Sequence, residues 1–389
     1  MNSGRALFAQ MIDHLSIHEF RKCVARYRGN HRVRRFSCWD QFLSMAFAQF
    51  TFRESLRDIV ACLGSLGSAR YHLGFRGGIS RSTLADANES RDWRIFADFA
   101  QTLIPEARRL YRDHDLGVNI DGNLYALDAT IIDVCMGLFP WAVFKKTQHA
   151  IKLHTQMDLR GNIPSFLRIS AAKTHDVNFL DHLAIEPGAF YVMDRGYMDF
   201  ARLHRFTTHA AFFVTRARKN LRFRRIASSP TERTQGILCD QTIRLIWFYT
   251  RKGYPQPLRR IRVYDAERNR RLTFLTNNFV LPARTIADLY RLRWQIELFF
   301  KWIKQHLRIK AFFGTSANAV KTQIWIAVTV YLLIAIVRKR LDVEASLHEM
   351  TQILSVSIFE KTPVNQAFSP EGMKMLKYEN HKQMNLFEL

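Results

Sequence analysis

NLYALDATIIDV, residues 123–134, is the stretch on which the fold turns. β-Branched and aromatic residues fill it, so it predicts a β-strand. Asp128 sits deep in the run, with apolar neighbours on both sides. A carboxylate in a central strand is costly to bury unless it is paired or holds a metal. Asp133 lies at an odd offset, so a regular strand sends the two side chains to opposite faces. One of them can face an active site, and Asp128 is the better placed. The plain alternative for Asp128 is a strand-end residue that caps a turn.

Outward from there, AIKLHTQMDL (150–159) and NIPSFLRISAAKTHD (162–176) read as two further strands. VNFLDHLAIE (177–186) reads as a short helix, and AFYVMDRGY (189–197) as a buried strand ending in a charged turn. FARLHRFTTH (200–209) is a helix pattern and AAFFVTRAR (210–218) another strand. Three strands, helix, strand, helix, strand is the order of a ribonuclease-H-like α/β core with a mixed sheet. Asp194 closes the fourth strand, Arg195 sets a cation beside it, and Gly196 predicts a sharp backbone turn. A simple turn residue is the alternative for Asp194.

From 218 to 280 the alternation stops. QTIRLIWFYTRK, LRRIRVYD and RRLTFLTNN read as strands without a helical pattern between them, hence an antiparallel β insertion. Residues 1–118 read as a helical, DNA-binding domain. FRESLRDIVACL (52–63), a glycine-containing connector and the polar SRSTLADANESRDW (80–93), with Arg81 and Arg91, follow the order of a helix-turn-helix reader. The connector is longer than the tightest form of that motif, and an ordinary surface helix is the alternative. The expected organisation is a helical domain to 118, core at 119–217, insertion at 218–280, core with a glutamate helix at 281–345, and C-terminal helices and tail at 346–389. IWIAVTVYLLIAIV (324–337) falls short of the roughly 20 residues that span a bilayer, so a buried core helix is expected and no membrane.

Composition narrows the partner. Lys and Arg number 58 against 34 Asp and Glu, a net charge of +24. Such an excess points to a polyanion, nucleic acid before an anionic membrane surface. HRVRR (31–35) is a basic loop suited to phosphate contact or simply to solvent. The five cysteines are scattered and form no CxxC, which argues against a zinc module or disulfide framework and fits a reducing compartment.

In this basic chain, YRLRWQIELFFKWIKQHL (290–307) reads as one helix carrying a lone acid, Glu297. At about 100° per residue, Tyr290, Arg293, Glu297 and Lys304 fall within an arc of roughly 60°. By itself Glu297 reads equally as a helix ion-pair partner of Arg293 or Lys301. Asp128, Asp194 and Glu297 together can converge on divalent cations, which favour carboxylate oxygen. Two such ions about 3.5–4 Å apart clamp both oxygens of a phosphodiester displacement. Lys145, Lys146, Lys152, Lys173 and His175 cluster on the second and third strands and can line a DNA channel. His175 is suited to proton transfer or to a hydrogen-bonded loop.

The spacing Tyr290-x2-Arg293-x3-Glu297-x6-Lys304, the DRGY run at 194–197, Asp128 in its strand and the long β insertion are similar to bacterial insertion-sequence transposases of the IS-four family, in the DDE superfamily. The resemblance covers roughly residues 120–340. It implies that Asp128, Asp194 and Glu297 bind two Mg²⁺ ions, with Mn²⁺ as a substitute. It implies cleavage of double-stranded DNA at transposon ends, a hairpin intermediate, and strand transfer into target DNA. Tyr290, Arg293 and Lys304 would hold DNA phosphates, with Arg195, Lys146, Lys173 and His175 as further contacts. The insertion would hold a flipped-out nucleotide, stacked on Trp247 or Trp294 unless these simply pack. A dimer on paired DNA ends and a bacterial cytoplasmic, nucleoid-associated location are also implied. The competing functions are a metal-dependent endonuclease that cuts without joining and a catalytically silent DNA-binding regulator.

Overall fold

A computed structural model describes residues 4–135, 138–145, 148–267, 269–306 and 312–369. Two compact units account for the chain: 1–112 with 137–141 and 301–389, and 113–136 with 142–300.

The first unit is helical. Its centre is the helix Ala317–Arg340, buried at almost every position from Ala319 to Val337. This helix contains the apolar run 324–337 and, at 24 residues, is long enough to span a bilayer. Length therefore does not exclude a membrane span; burial explains the composition, because 94% of its apolar window lies inside the protein. A helix apolar on every side needs neighbours all round. Here they include Arg94–Leu110, Cys38–Phe50 and Arg81–Ser90. Ser37 and Asp40 form a capping box on the second of these, and Ser80 caps the third through Thr83 N–H.

The expected reader helices are Leu56–Ser65 and Arg81–Ser90, packed together, with a 3₁₀ segment at Gly67–Leu73 in the connector. Arg91 is part of the scaffold: its guanidinium donates to the carbonyls of Phe36 and Ser37.

The second unit is built on one sheet, ten-stranded among the described residues. In chain order the strands are β1 Leu124–Val134, β2 Val143–Lys145, β3 Gln148–Asp158, β4 Ile163–Ala171, β5 Phe190–Met193, β6 Phe212–Arg216, β7 Phe223–Ser229, β8 Ile237–Leu245, β9 Leu258–Asp265 and β10 Arg270–Thr276. β3 pairs antiparallel with β1 and β4, and β5 runs parallel to β1 and β6. The order β4-β3-β1-β5-β6 is the ribonuclease-H-like core. The insertion continues the same sheet, because β10 pairs antiparallel with β6 and leads on to β9, β8 and β7. Two glycines approach closely just before β1 and β5 begin. Gly122 has φ +102°, and a Cβ there would sit 2.6 Å from the Gly188 carbonyl oxygen.

Several local expectations change. The insertion has a helix, Phe248–Gly253, so β8 ends at Leu245 and the rest of QTIRLIWFYTRK leaves the sheet. β2 and β7 were not predicted, being respectively three residues long and exposed at six of its seven positions. VNFLDHLAIE contributes only to the 3₁₀ segment Asp176–His182. The stretch 290–307 is two helices, Ala283–Leu292 and Trp294–His306, meeting at Arg293. The joint is mild: Arg293 keeps a right-handed helical conformation, and Arg293 N–H and Ile296 N–H bond carbonyls three residues back. The one-sided arc of Tyr290, Arg293 and Glu297 therefore survives.

Candidate active site

The parallel pairing of β1 with β5 matches Leu127 to Met193. The next residue on each strand is an acid, Asp128 and Asp194, so the two carboxylates leave neighbouring strands at the same level. Tyr125 and Leu127 belong to the apolar cluster with Leu203 and Phe206. Strand alternation turns Asp128 the other way, toward the helices of Tyr290 and Glu297. Asp133 is exposed and accepts from the Gln148 amide, outside this site.

Two side chains at the helix joint hold the acids, Arg293 bridging two of them and Tyr290 bonding the third. Arg293 Nη1 donates to Asp128 Oδ2 at 2.8 Å, and its Nη2 to Glu297 Oε1 at 2.5 Å. The Tyr290 hydroxyl donates to Asp194 Oδ1 at 3.1 Å, its ring packed on Phe274 at 4.8 Å. Asp194 is fixed through its backbone: its carbonyl accepts from Thr215 Oγ1 and from Tyr197 N–H.

The environment is unusual for charged groups. Burial pushes the Asp128 carboxyl up to about 6, against the pull of Arg293. Burial likewise pushes the Tyr290 phenol up to about 12. Burial opposes the Arg293 charge, yet Tyr290, Asp128 and Glu297 outweigh it and raise its pKa. Arg293 Nε is buried without a hydrogen-bonding partner.

The DRGY segment makes the expected turn around Gly196 without a left-handed glycine. Its φ is not positive, and an added Cβ would meet only Asp176 Oδ2, at 3.9 Å. The segment turns as a 3₁₀ helix, Arg195–Tyr197, so a left-handed glycine is not required. Asp194 and exposed Arg195 line a cavity of about 500 Å³ with Arg218, Lys219 and Asn220. Arg218 and Asn220 also line an adjoining cavity of about 540 Å³, with Arg222, Trp247, Tyr249 and Thr250. Trp247 is 55% exposed and Tyr249 71%.

The remaining sequence candidates scatter. Lys173 and His175 are exposed on the loop after β4. Lys152 is not a channel residue: it is buried and pairs with Asp176 at 2.9 Å, its ammonium also donating to the Thr174 carbonyl. Trp294 is half exposed at the start of the glutamate helix. Lys304 stands farther along that helix, partly buried. Lys146 lies outside the described residues. Tyr197 was missed as a site residue. It is fully buried, its hydroxyl has no hydrogen-bonding partner, and burial with the Asp128 and Asp176 charges raises its pKa. The signal was present in DRGY and KTHD, whose last residues are Tyr197 and Asp176.

A family model described as a transposase DDE domain matches residues 120–333, the sheet and both helices of the joint. The chain belongs to the DDE transposase family. A second model, a domain of unknown function, matches residues 3–76 of this transposase. The y4zB protein of Sinorhizobium fredii, named as a transposase, is 32% identical over 288 residues, covering 72% of this chain and 78% of that one. A transposase named for insertion sequence element IS5377 of Geobacillus stearothermophilus is 28% identical over 54% of this chain and 55% of its own. One named for element IS4SA of Synechocystis is 23% identical over 69% and 75%. The piggyBac transposase synaptic complex with hairpin DNA aligns at TM-score 0.45 and 10% identity, over 96% of this chain and 83% of that one. That likeness is too distant to add to the strand order.

Family membership implies an enzyme that acts on DNA and depends on a divalent cation. Three carboxylates are the hard-oxygen donor set such an ion takes, so the chemistry fits. Among the described residues, however, no three potential ligands are grouped closely enough to hold an ion as they stand. A guanidinium bridges two of the acids instead.

Proposed function

We propose that this transposase cuts double-stranded DNA at the terminal inverted repeats of its element and joins the freed ends to target DNA. Asp128, Asp194 and Glu297 would hold two Mg²⁺ ions. When bound, such a pair neutralises charge on a phosphodiester and favours displacement at phosphorus. Water attacks the scissile phosphorus and the bond to a 3′ oxygen breaks, leaving a 3′-OH. That hydroxyl attacks a phosphodiester of the opposite strand, displacing a 3′ oxygen there to form a hairpin, which a second water hydrolyses to release the 3′-OH again. The 3′-OH then attacks a target phosphodiester, displacing a target 3′ oxygen. Tyr290 and Arg293 contact the acids in the DNA-free protein. Together with Lys304, Arg195, Lys146, Lys173 and His175 they meet the DNA backbone. The cavity of Trp247, Tyr249, Arg218 and Arg222 suits an unstacked base with its phosphate, since aromatic faces stack on any base and arginine meets the charge.

In the helical unit, Arg28, Arg32, Arg34 and Arg35 are exposed and crowd one loop, which suits contact with the DNA backbone. The protein is proposed to work as a dimer on paired ends, in the bacterial cytoplasm at the nucleoid.

The single observation that carries this reading is the placing of Asp128 and Asp194 at one level of two adjacent parallel strands, with Arg293 bridging Asp128 to Glu297 and Tyr290 holding Asp194. The test uses the full chain, Mg²⁺, and duplexes bearing the inverted repeats that flank the coding region. Glu297→Gln should abolish cleavage and strand transfer while end binding persists. Cleavage without joining by the parent protein would make it an endonuclease. End binding without cleavage by the parent would make it a regulator.

A further inference from the structure

The bridge that Arg293 makes is more than a structural ion pair. We propose that Arg293 is the resident counter-cation of the acid site in the DNA-free transposase. Its guanidinium holds the place between Asp128 and Glu297 that a divalent cation needs. A DNA phosphate then draws it away, so DNA binding and cation loading are coupled. The proposal rests on the reading of Asp128, Asp194 and Glu297 as a cation site.

Four observations support it. First, the contacts engage both acids from one planar group: Nη1 with Asp128 at 2.8 Å and Nη2 with Glu297 at 2.5 Å. On Asp128 Oδ2 and Glu297 Oε1 the guanidinium competes with a divalent cation, by like charge as well as for these oxygens. Second, the grouping needed for an ion is absent among the described residues while the bridge stands. Third, one donor is left over. Arg293 Nε is buried with no acceptor, in a side chain 15% exposed. An unsatisfied buried donor marks a group whose full set of partners is not yet present. A phosphate oxygen is the acceptor that a chain of net charge +24 is built to meet. Fourth, Arg293 lies at the joint of two helices, where neighbouring bonds run three residues back. A side chain at such a joint can be redirected by a small local change without breaking a long helix.

Asp194 has its own partner in the DNA-free protein, the Tyr290 hydroxyl, and does not depend on Arg293. Two cations of charge +2 also match the three acids better than one guanidinium does, so loading is favoured once DNA holds the arginine.

The test measures Mn²⁺ bound to the full chain, from the loss of the free-ion electron paramagnetic resonance signal, without DNA and with a duplex carrying an inverted-repeat end. For the wild type, Mn²⁺ should bind weakly alone and at least about tenfold more tightly with the duplex, ~1.4 kcal/mol. Arg293→Gln should bind Mn²⁺ without DNA at least about tenfold more tightly than wild type, and the duplex should add little. Circular dichroism checks that this variant is folded. If it is not, Arg293→Lys, whose ammonium lacks the planar fork, is read in the same way and should bind Mn²⁺ without DNA more tightly than wild type. Equal Mn²⁺ affinity of wild type and variant would overturn the proposal. So would weaker binding by a folded variant, because Arg293 would then be an organiser of the acids and not their occupant. The readout needs no cleavage, so failure of the transposition reading shows separately as an absence of cut products.

Discussion

Arg259 offers the sharpest test of how the fold delivers the glutamate helix. It is buried on β9 and fork-bonded to Asp240 of β8, with Nε at 2.9 Å and Nη2 at 2.6 Å from the two carboxylate oxygens. Its third nitrogen, Nη1, donates to the carbonyls of Leu281 at 2.6 Å and Asn278 at 3.3 Å. Those carbonyls lie in the turn from which Ala283–Leu292 starts. Asn277 holds the other end of that turn, bonding Phe213 N–H and the Ala211 carbonyl. The two charged side chains are only 9% and 7% exposed.

Arg259→Met leaves a buried carboxylate without its partner, which costs ~3–5 kcal/mol. The stranded turn carbonyls add ~1–3 kcal/mol if water does not reach them. The double variant Arg259→Met, Asp240→Leu removes the orphaned charge and should keep only the smaller carbonyl penalty. The assay is hydrogen exchange of β8, β9 and the 277–282 turn, which reads local opening without assuming two-state unfolding of the whole chain. A loss of ~4 kcal/mol is roughly a thousandfold in protection, at 1.4 kcal/mol per tenfold. A single variant that loses less than tenfold would refute the reasoning. So would a double variant that loses as much as the single.

Two further outcomes are expected. His154 is buried on β3, bonded to Ser170 and stacked on Phe179 at 5.3 Å, and burial holds its pKa down at about 4. From pH 6.5 down to 4 the unfolded chain therefore binds a proton that the native one refuses. The stability from this site is complete above pH 6.5 and lost as the pH falls, up to ~3 kcal/mol. His154→Phe should flatten the fall in urea midpoint between pH 6.5 and 4.5, and an unchanged slope would contradict the assignment. Trp247→Ala should weaken binding of a duplex end bearing an unpaired nucleotide by ~1–3 kcal/mol in fluorescence anisotropy and leave a fully paired duplex unaffected; equal losses on both would show that the indole does not stack a base.

Much of the core was legible because its signals are local. β-Branched residues around Asp128, the apolar run before Asp194 and the spacing of Tyr290, Arg293 and Glu297 each fix a short element by its own periodicity. The errors also have local causes. β7 has no buried face, so its sequence carries no alternation to read. Trp247, Phe248 and Tyr249 have strand-forming side chains, yet the chain has left the sheet after Leu245 and the three stand exposed around a short helix. Lys152 looked like a channel residue because its partner, Asp176, comes 24 positions later.

The sequence by itself determined which acids are available, which elements carry them and that the partner is a polyanion, since composition and periodicity need no distant contact. Only the tertiary structure decided that Asp128 in β1 and Asp194 just after β5 lie at one level, that the insertion extends the same sheet, and that Arg293 reaches Asp128 across 165 positions of chain while also holding Glu297. The physical reason is that register and ion pairing depend on which distant groups the packed core brings within a few ångströms.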